Sequence, residues 1–103
     1  MLNSVLSDDF IKNFDSEERS RIIGLFIEDG NQIILKIKLD CARNDQNALN
    51  SSVHSLKGIV ANIGAKKMFN YIKNIEKIIS CEDVETIENL YKDLIIELEK
   101  HKD

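Results

Sequence analysis

The stretch LNSSVHSLKGIVANIG, residues 49–64, decides the fold. Its large apolar side chains recur at alternating spacings of four and three, the period of a helix with one buried face. Asp45 precedes it as an N-cap, and Gly64 ends it because glycine readily adopts the left-handed conformation after a last helical turn. We therefore predict an amphipathic helix over about residues 46–63. Its inward stripe consists of Leu49, Val53, Leu56, Val60 and Ile63.

The same one-sided pattern continues on both sides of this helix. A helix over about residues 16–43 carries an isoleucine-rich stripe, and its DGN segment resembles a turn. Because the apolar phase is unchanged across that segment, one continuous helix is favoured. Further helices are predicted over about 65–80 and 83–101. A short helix over about 8–13 is expected to cover one end of the core.

The absence of strand signals sets the fold class. The 103 residues include no proline and only four glycines, and no alternation of polar and apolar residues is long enough for a strand. Amphipathic helices with short connections predict an all-α, antiparallel up-and-down four-helix bundle with a short additional N-terminal helix. A chain of this length forms a single domain, residues 1–103, and is too short for an enzyme with its own nucleotide-binding domain.

Composition narrows the functional classes. A formal net charge of -4 argues against a general nucleic-acid binder, which needs a basic face. No apolar run approaches the roughly 20 residues that cross a bilayer, and the N-terminus lacks an export signal, so we expect a cytoplasmic protein without membrane insertion. Cys41 and Cys81 lack metal-ligand spacing, which predicts reduced cysteines and no metal site. The scarcity of apolar residues outside the stripes favours a monomer.

His54 is the residue that the fold does not explain. It falls roughly 100° from Val53 around the helix axis and therefore outside the buried stripe. Gly58 lies one turn further on, where alanine would be more stable by about 1 kcal/mol. A glycine at such a position indicates close approach by another surface. Alternatively, His54 is an isolated surface histidine without a function.

A family resemblance begins at this histidine. The run HSLKG at residues 54–58, followed after five residues by Gly64, resembles the His-x-Leu-Lys-Gly-x5-Gly signature of histidine-containing phosphotransfer (HPt) domains. The helix count, the short leading helix and the position of the motif on the second long helix extend the resemblance to nearly all of the chain. It implies a bundle that accepts a phosphoryl group on His54 and exchanges it with an aspartate of a receiver domain.

The chemistry of two residues agrees with this interpretation independently. A neutral imidazole offers a ring-nitrogen lone pair that can attack phosphorus without a separate base. Lys57, one turn along the helix from His54, can place its ammonium beside the equatorial oxygens of the transferring group. The alternative is that Lys57 is an ordinary solvated surface lysine.

Glu76 is a possible orienting partner for the imidazole. It lies on the neighbouring predicted helix at the edge of the apolar stripe, so antiparallel packing can bring its carboxylate near His54. HPt domains often carry glutamine or another polar residue at about this place. Glu76 can equally be an exposed helical acid, or contact the site only at longer range.

The remaining candidates concern docking. Gly58 and Ala61 are expected to allow close approach of the partner, and Gly64 stops the helix that carries the motif. Lys66 and Lys67 extend the positive patch of the motif, or they are a chance pair of surface lysines. The possible docking rim consists of Ser51, Ser55, Asn62, Lys66 and Lys67.

Three functional classes remain. The leading one is a phosphoryl carrier whose partner is the receiver domain of a response regulator or hybrid sensor histidine kinase. The resemblance implies that this partner holds a magnesium ion, and this chain itself is expected to bind no cofactor. No glycine-rich phosphate loop occurs, so the chain has no ATP site and is not expected to be an enzyme. The alternative is a helical module that docks on a receiver or kinase without phosphotransfer. A stand-alone enzyme using His54 lacks partner residues at suitable spacing.

Overall fold

The computed structural model describes residues 14–101, and the short helix expected over about 8–13 lies outside them. Within these residues the chain forms four helices and no strand: α1 (Ser16–Ala42), α2 (Gln46–Ile63), α3 (Lys66–Ile75) and α4 (Cys81–Glu99). Each helix packs against the next, and α1 also packs against α4. The prediction of an all-α helical bundle is confirmed. None of the helices described here is both long and apolar enough to span a membrane.

The helix α2 forms the wall on which the candidate site is built. Asp45 caps its first turn by accepting a hydrogen bond from the backbone N–H of Ala48, and Gly64 ends it at φ 78°. Its entire predicted stripe is buried, with no member more than 3% exposed. Because this stripe packs inward against α1 and α3, the opposite face of α2 is turned to solvent.

The helix α1 continues through the DGN segment, where Gly30 lies against Tyr91 of α4. A Cβ at Gly30 would stand 2.5 Å from the Tyr91 hydroxyl oxygen. That hydroxyl donates a hydrogen bond to Asn31 Oδ1 at 2.8 Å and lies 3.2 Å from the carbonyl oxygen of Ile27. Burial raises the pKa of Tyr91 to about 12. The glycine is therefore a packing requirement within a continuous helix.

A polar pair lies within the contact between α1 and α2. Ser52 donates a hydrogen bond of 2.7 Å to Asp40, and both residues are buried. The Ser52 hydrogen bond, supported by Lys36, holds the pKa of Asp40 below its ordinary value. Because a buried carboxylate needs such partners, this pair fixes the register of the two helices.

The boundary between the last two helices differs from the prediction. α3 ends at Ile75, well before residue 80, and α4 begins at Cys81 with Ser80 as its N-cap. The Ser80 side chain and Asp83 form a reciprocal capping box. Ile79 continues the apolar period of α3, but it lies in the segment that connects α3 to α4, and its side chain is buried there. The connection is therefore longer than the periodicity predicts.

The two cysteines also differ from the prediction. Cys41 near the end of α1 and Cys81 at the start of α4 are joined as a disulfide, so the expectation of reduced cysteines is wrong for this structure. They are 40 residues apart in sequence, but their Cα atoms are 6.3 Å apart because these helix ends meet at one end of the bundle. Motif spacing cannot detect a proximity that the tertiary fold creates.

Candidate functional site

His54 projects from the solvent-facing side of α2. Its side chain is 72% exposed, whereas the adjacent Val53 is completely buried. The imidazole therefore stands outside the core, midway along a packed helix, as the position of the stripe requires. Of its two ring nitrogens, Nδ1 faces Glu76 at 3.8 Å from Oε2.

Glu76 connects α3 to this face of α2. It is the C-cap residue of α3, and its carboxylate reaches back across the helix pair. Oε1 accepts a hydrogen bond of 2.7 Å from Lys57 Nζ, whereas the 3.8 Å between Oε2 and His54 Nδ1 is too long for a hydrogen bond. The Lys57 hydrogen bond holds the pKa of Glu76 below its ordinary value. Glu76 is thus bound directly to Lys57 and makes no hydrogen bond to His54.

Lys57 is held in place by its surroundings. Its side chain is only 22% exposed, and Nζ lies 5.9 Å from the centre of the Phe69 ring on α3. The ammonium therefore has a carboxylate and an aromatic face as neighbours, and both attract a cation. The sequence predicts Lys57 and Glu76 separately beside His54, and the structure shows that they also pair with each other.

The surface near His54 consists partly of small residues. Gly58 and Ala61 are both exposed, and a Cβ added at Gly58 would meet nothing within 4 Å. Packing among residues 14–101 therefore gives no reason for glycine at position 58, in contrast to Gly30. Gly64, in the left-handed conformation, ends the helix just beyond this surface.

The rim candidates are all at the surface, but they do not all face the same way. Ser55 donates a hydrogen bond to the carbonyl oxygen of Ser51 one turn earlier. Lys67 lines a small cavity together with Leu90 and Asp93 of α4, and so lies toward the far side of α3. The exposed candidates are Ser51, Ser55, Asn62, Lys66 and Lys67.

The structure thus brings together the three chemically active candidates, His54, Lys57 and Glu76, on one face formed by α2 and the end of α3. An exposed imidazole offers a nucleophilic nitrogen, and an adjacent ammonium can compensate the charge of an anionic group. The imidazole is exposed on this face, where a second macromolecule can reach it.

Comparison with known proteins agrees with this arrangement. A family model described as Hpt domain matches residues 21–100, a range that includes the HSLKG run and Glu76. Searches of curated proteins and of solved structures found no significant match. Hpt domains are phosphocarrier modules of phosphorelays, and they interact with receiver domains. Since the match spans most of the 103 residues, the chain belongs to the Hpt domain family.

Proposed function

We propose that this chain carries phosphoryl groups in a His-Asp phosphorelay, with His54 as the phosphoacceptor. The observation that carries the proposal is the position of the imidazole, 72% exposed in the middle of a helix whose other face is buried. A rigid helix presents the ring without a flexible loop, so the ring enters a partner site with little loss of conformational entropy.

The transfer step follows from the two ring nitrogens. Glu76 faces Nδ1 at 3.8 Å, and its negative charge favours the proton on that nitrogen. The lone pair is then on Nε2, which forms the new P–N bond while the P–O bond to the receiver aspartate breaks. The aspartate leaves as a carboxylate, and the ring carries a positive charge until Nδ1 releases its proton. The reverse step returns the group to an aspartate.

Charge compensation is divided between the two partners. On this chain, Lys57 supplies the ammonium of the motif and is proposed to stabilise the phosphoryl oxygens. We expect the receiver domain to supply the aspartate, together with a magnesium ion that neutralises further charge. This chain then requires no ATP site and no cofactor of its own.

Docking is proposed over the surface of small residues. Gly58 and Ala61 leave room for the receiver beside the imidazole, and Ser51, Ser55 and Asn62 offer hydrogen-bonding groups at its edge. Lys66 is the rim lysine that we place nearest to this interface, because Lys67 lies beside α4.

A labelling experiment tests the proposal. Receiver domains phosphorylated with labelled acetyl phosphate are mixed with the purified chain, and we expect acid-labile, base-stable label on the chain. His54→Gln should abolish labelling, whereas the matched variant His101→Gln should retain it. Label on the His54→Gln variant would overturn the assignment. Receiver binding without label on the wild-type chain would instead favour a docking module without chemistry.

A further inference from the structure

The pairing of Lys57 with Glu76 creates a conflict at the proposed phosphoacceptor. The carboxylate binds the ammonium through Oε1 at 2.7 Å and faces the Nδ1 edge of His54 through Oε2 at 3.8 Å. It therefore bridges Lys57 and the edge of the ring that does not receive the phosphoryl group. An ammonium that contacts phosphoryl oxygens on Nε2 has to divide its hydrogen bonds between those oxygens and Glu76.

Glu76 also depends on Lys57 for its own charge. As the C-cap of α3, it places a carboxylate at the C-terminal end of the helix, where the macrodipole already contributes a partial negative charge. The Lys57 hydrogen bond offsets this unfavourable position. Partial burial of both side chains, and the Phe69 ring beside Nζ, shield the pair from water on one side.

We propose, as an inference that rests on the function proposed above, that Glu76 competes with the phosphoryl group of phospho-His54 for Lys57. In the unphosphorylated chain, the ammonium is bound to the carboxylate. After transfer, the two anions share one cation, and the Glu76 carboxylate lies close to a second negative group. Glu76 therefore destabilises the phosphorylated state relative to the free state, and it makes the domain a ready donor of its phosphoryl group.

The equilibrium of phosphotransfer measures this competition. A receiver domain identified by the labelling experiment is phosphorylated and mixed with each chain, and the ratio of label on the two proteins is read at its plateau. Glu76→Gln keeps the shape of the side chain and removes its charge. It should shift the ratio toward phospho-His54 by between about twofold and fivefold, the range of one partly exposed ion pair. Glu85→Gln, the same change at an exposed position on α4, should leave the ratio unchanged.

A double variant separates competition for Lys57 from simple repulsion. In a Lys57→Gln background the competition no longer exists, so Glu76→Gln should shift the ratio by less than half as much. The inference is overturned if Glu76→Gln shifts the ratio equally in both backgrounds. It is also overturned if Glu76→Gln in the wild-type background causes no shift or a shift away from phospho-His54, while the labelling result stands. A wild-type chain that takes no label overturns the proposed function, and the inference with it.

Discussion

Gly30 of α1 and Tyr91 of α4 are in such close contact that a side chain at position 30 would occupy the space of the tyrosine ring. An added Cβ would lie 2.5 Å from the hydroxyl oxygen and 2.7 Å from Cε1. The ring cannot move away freely, because it is 5% exposed and its hydroxyl is hydrogen-bonded to Asn31. This contact limits how closely α1 and α4 can approach each other.

Gly30→Ala is therefore expected to destabilise the fold although alanine favours helices. Overpacking of a buried contact typically reduces the free energy of unfolding by about 1–3 kcal/mol, more than the roughly 1 kcal/mol of helix propensity gained. Chemical denaturation measures the difference. Gly24→Ala is the matched control: a Cβ there meets nothing within 4 Å, so this variant should be at least as stable as wild type. A stabilised Gly30→Ala variant would contradict the packing argument.

Gly58→Ala is expected to separate stability from function. The site is open within the chain, so alanine should raise the free energy of unfolding by up to about 1 kcal/mol. The added methyl group projects from the proposed docking surface, so phosphotransfer should slow by roughly tenfold or more through misplacement of the partner. Thermal melting and the initial rate of labelling measure the two effects. Gly24→Ala should gain stability without slowing transfer, and a Gly58→Ala variant with wild-type transfer would remove Gly58 from the interface.

The contrast between these glycines shows what the sequence could predict. The stripe of α2 is a local, periodic signal, so it predicted the helix, its buried face and the exposure of His54. Both Gly30 and Gly58 are helical glycines in the sequence, and only the tertiary structure shows that Tyr91 packs against one of them. A contact between helices distant in sequence leaves no periodic trace.

The same limit explains the other differences. Ile79 continues the apparent apolar period of α3, because a buried residue in a connecting segment is as apolar as a buried residue in a helix. The proximity of Cys41 to Cys81, and the hydrogen bond from Lys57 to Glu76, each join residues on different helices. The sequence supplied these groups, and the packing of the bundle decided which of them are paired.

Ser52→Ala is expected to change how stability depends on pH. The Ser52 hydrogen bond is the main cause of the low pKa of Asp40. A carboxyl group whose pKa is lowered by folding stabilises the protein above its ordinary pKa, about 3.9, and this contribution is lost as the pH falls through the folded-state value. Ser52→Ala should therefore lower the melting temperature at pH 7 by several degrees. The difference from wild type should shrink as the pH falls below about 4.

Melting curves between pH 3 and 7 on both proteins check this prediction. Ser55→Ala is the control, because the Ser55 hydroxyl is exposed and donates only to a backbone carbonyl in its own helix. It should melt close to wild type at every pH. A Ser52→Ala deficit of constant size across the pH range would show that Asp40 does not depend on this hydrogen bond.

Lys57→Gln is expected to change the ionisation of Glu76 before any phosphoryl group is present. The hydrogen bond from Lys57 is the main cause of the low pKa of Glu76, and the amide of glutamine carries no charge to replace it. The Glu76 pKa should rise, because the hydrogen bond and the positive charge of Lys57 are lost while partial burial still raises it. Carbon-13 NMR of the Glu76 side-chain carboxyl, titrated in wild type and variant, measures this pKa directly.

Lys66→Gln is the control, because it removes an equal charge from an exposed lysine that has no ion pair among residues 14–101. It should leave the Glu76 titration unchanged. An unchanged Glu76 titration in the Lys57→Gln variant would mean that the two side chains are not paired in solution, and Lys57 would then be free to meet the phosphoryl group without competition.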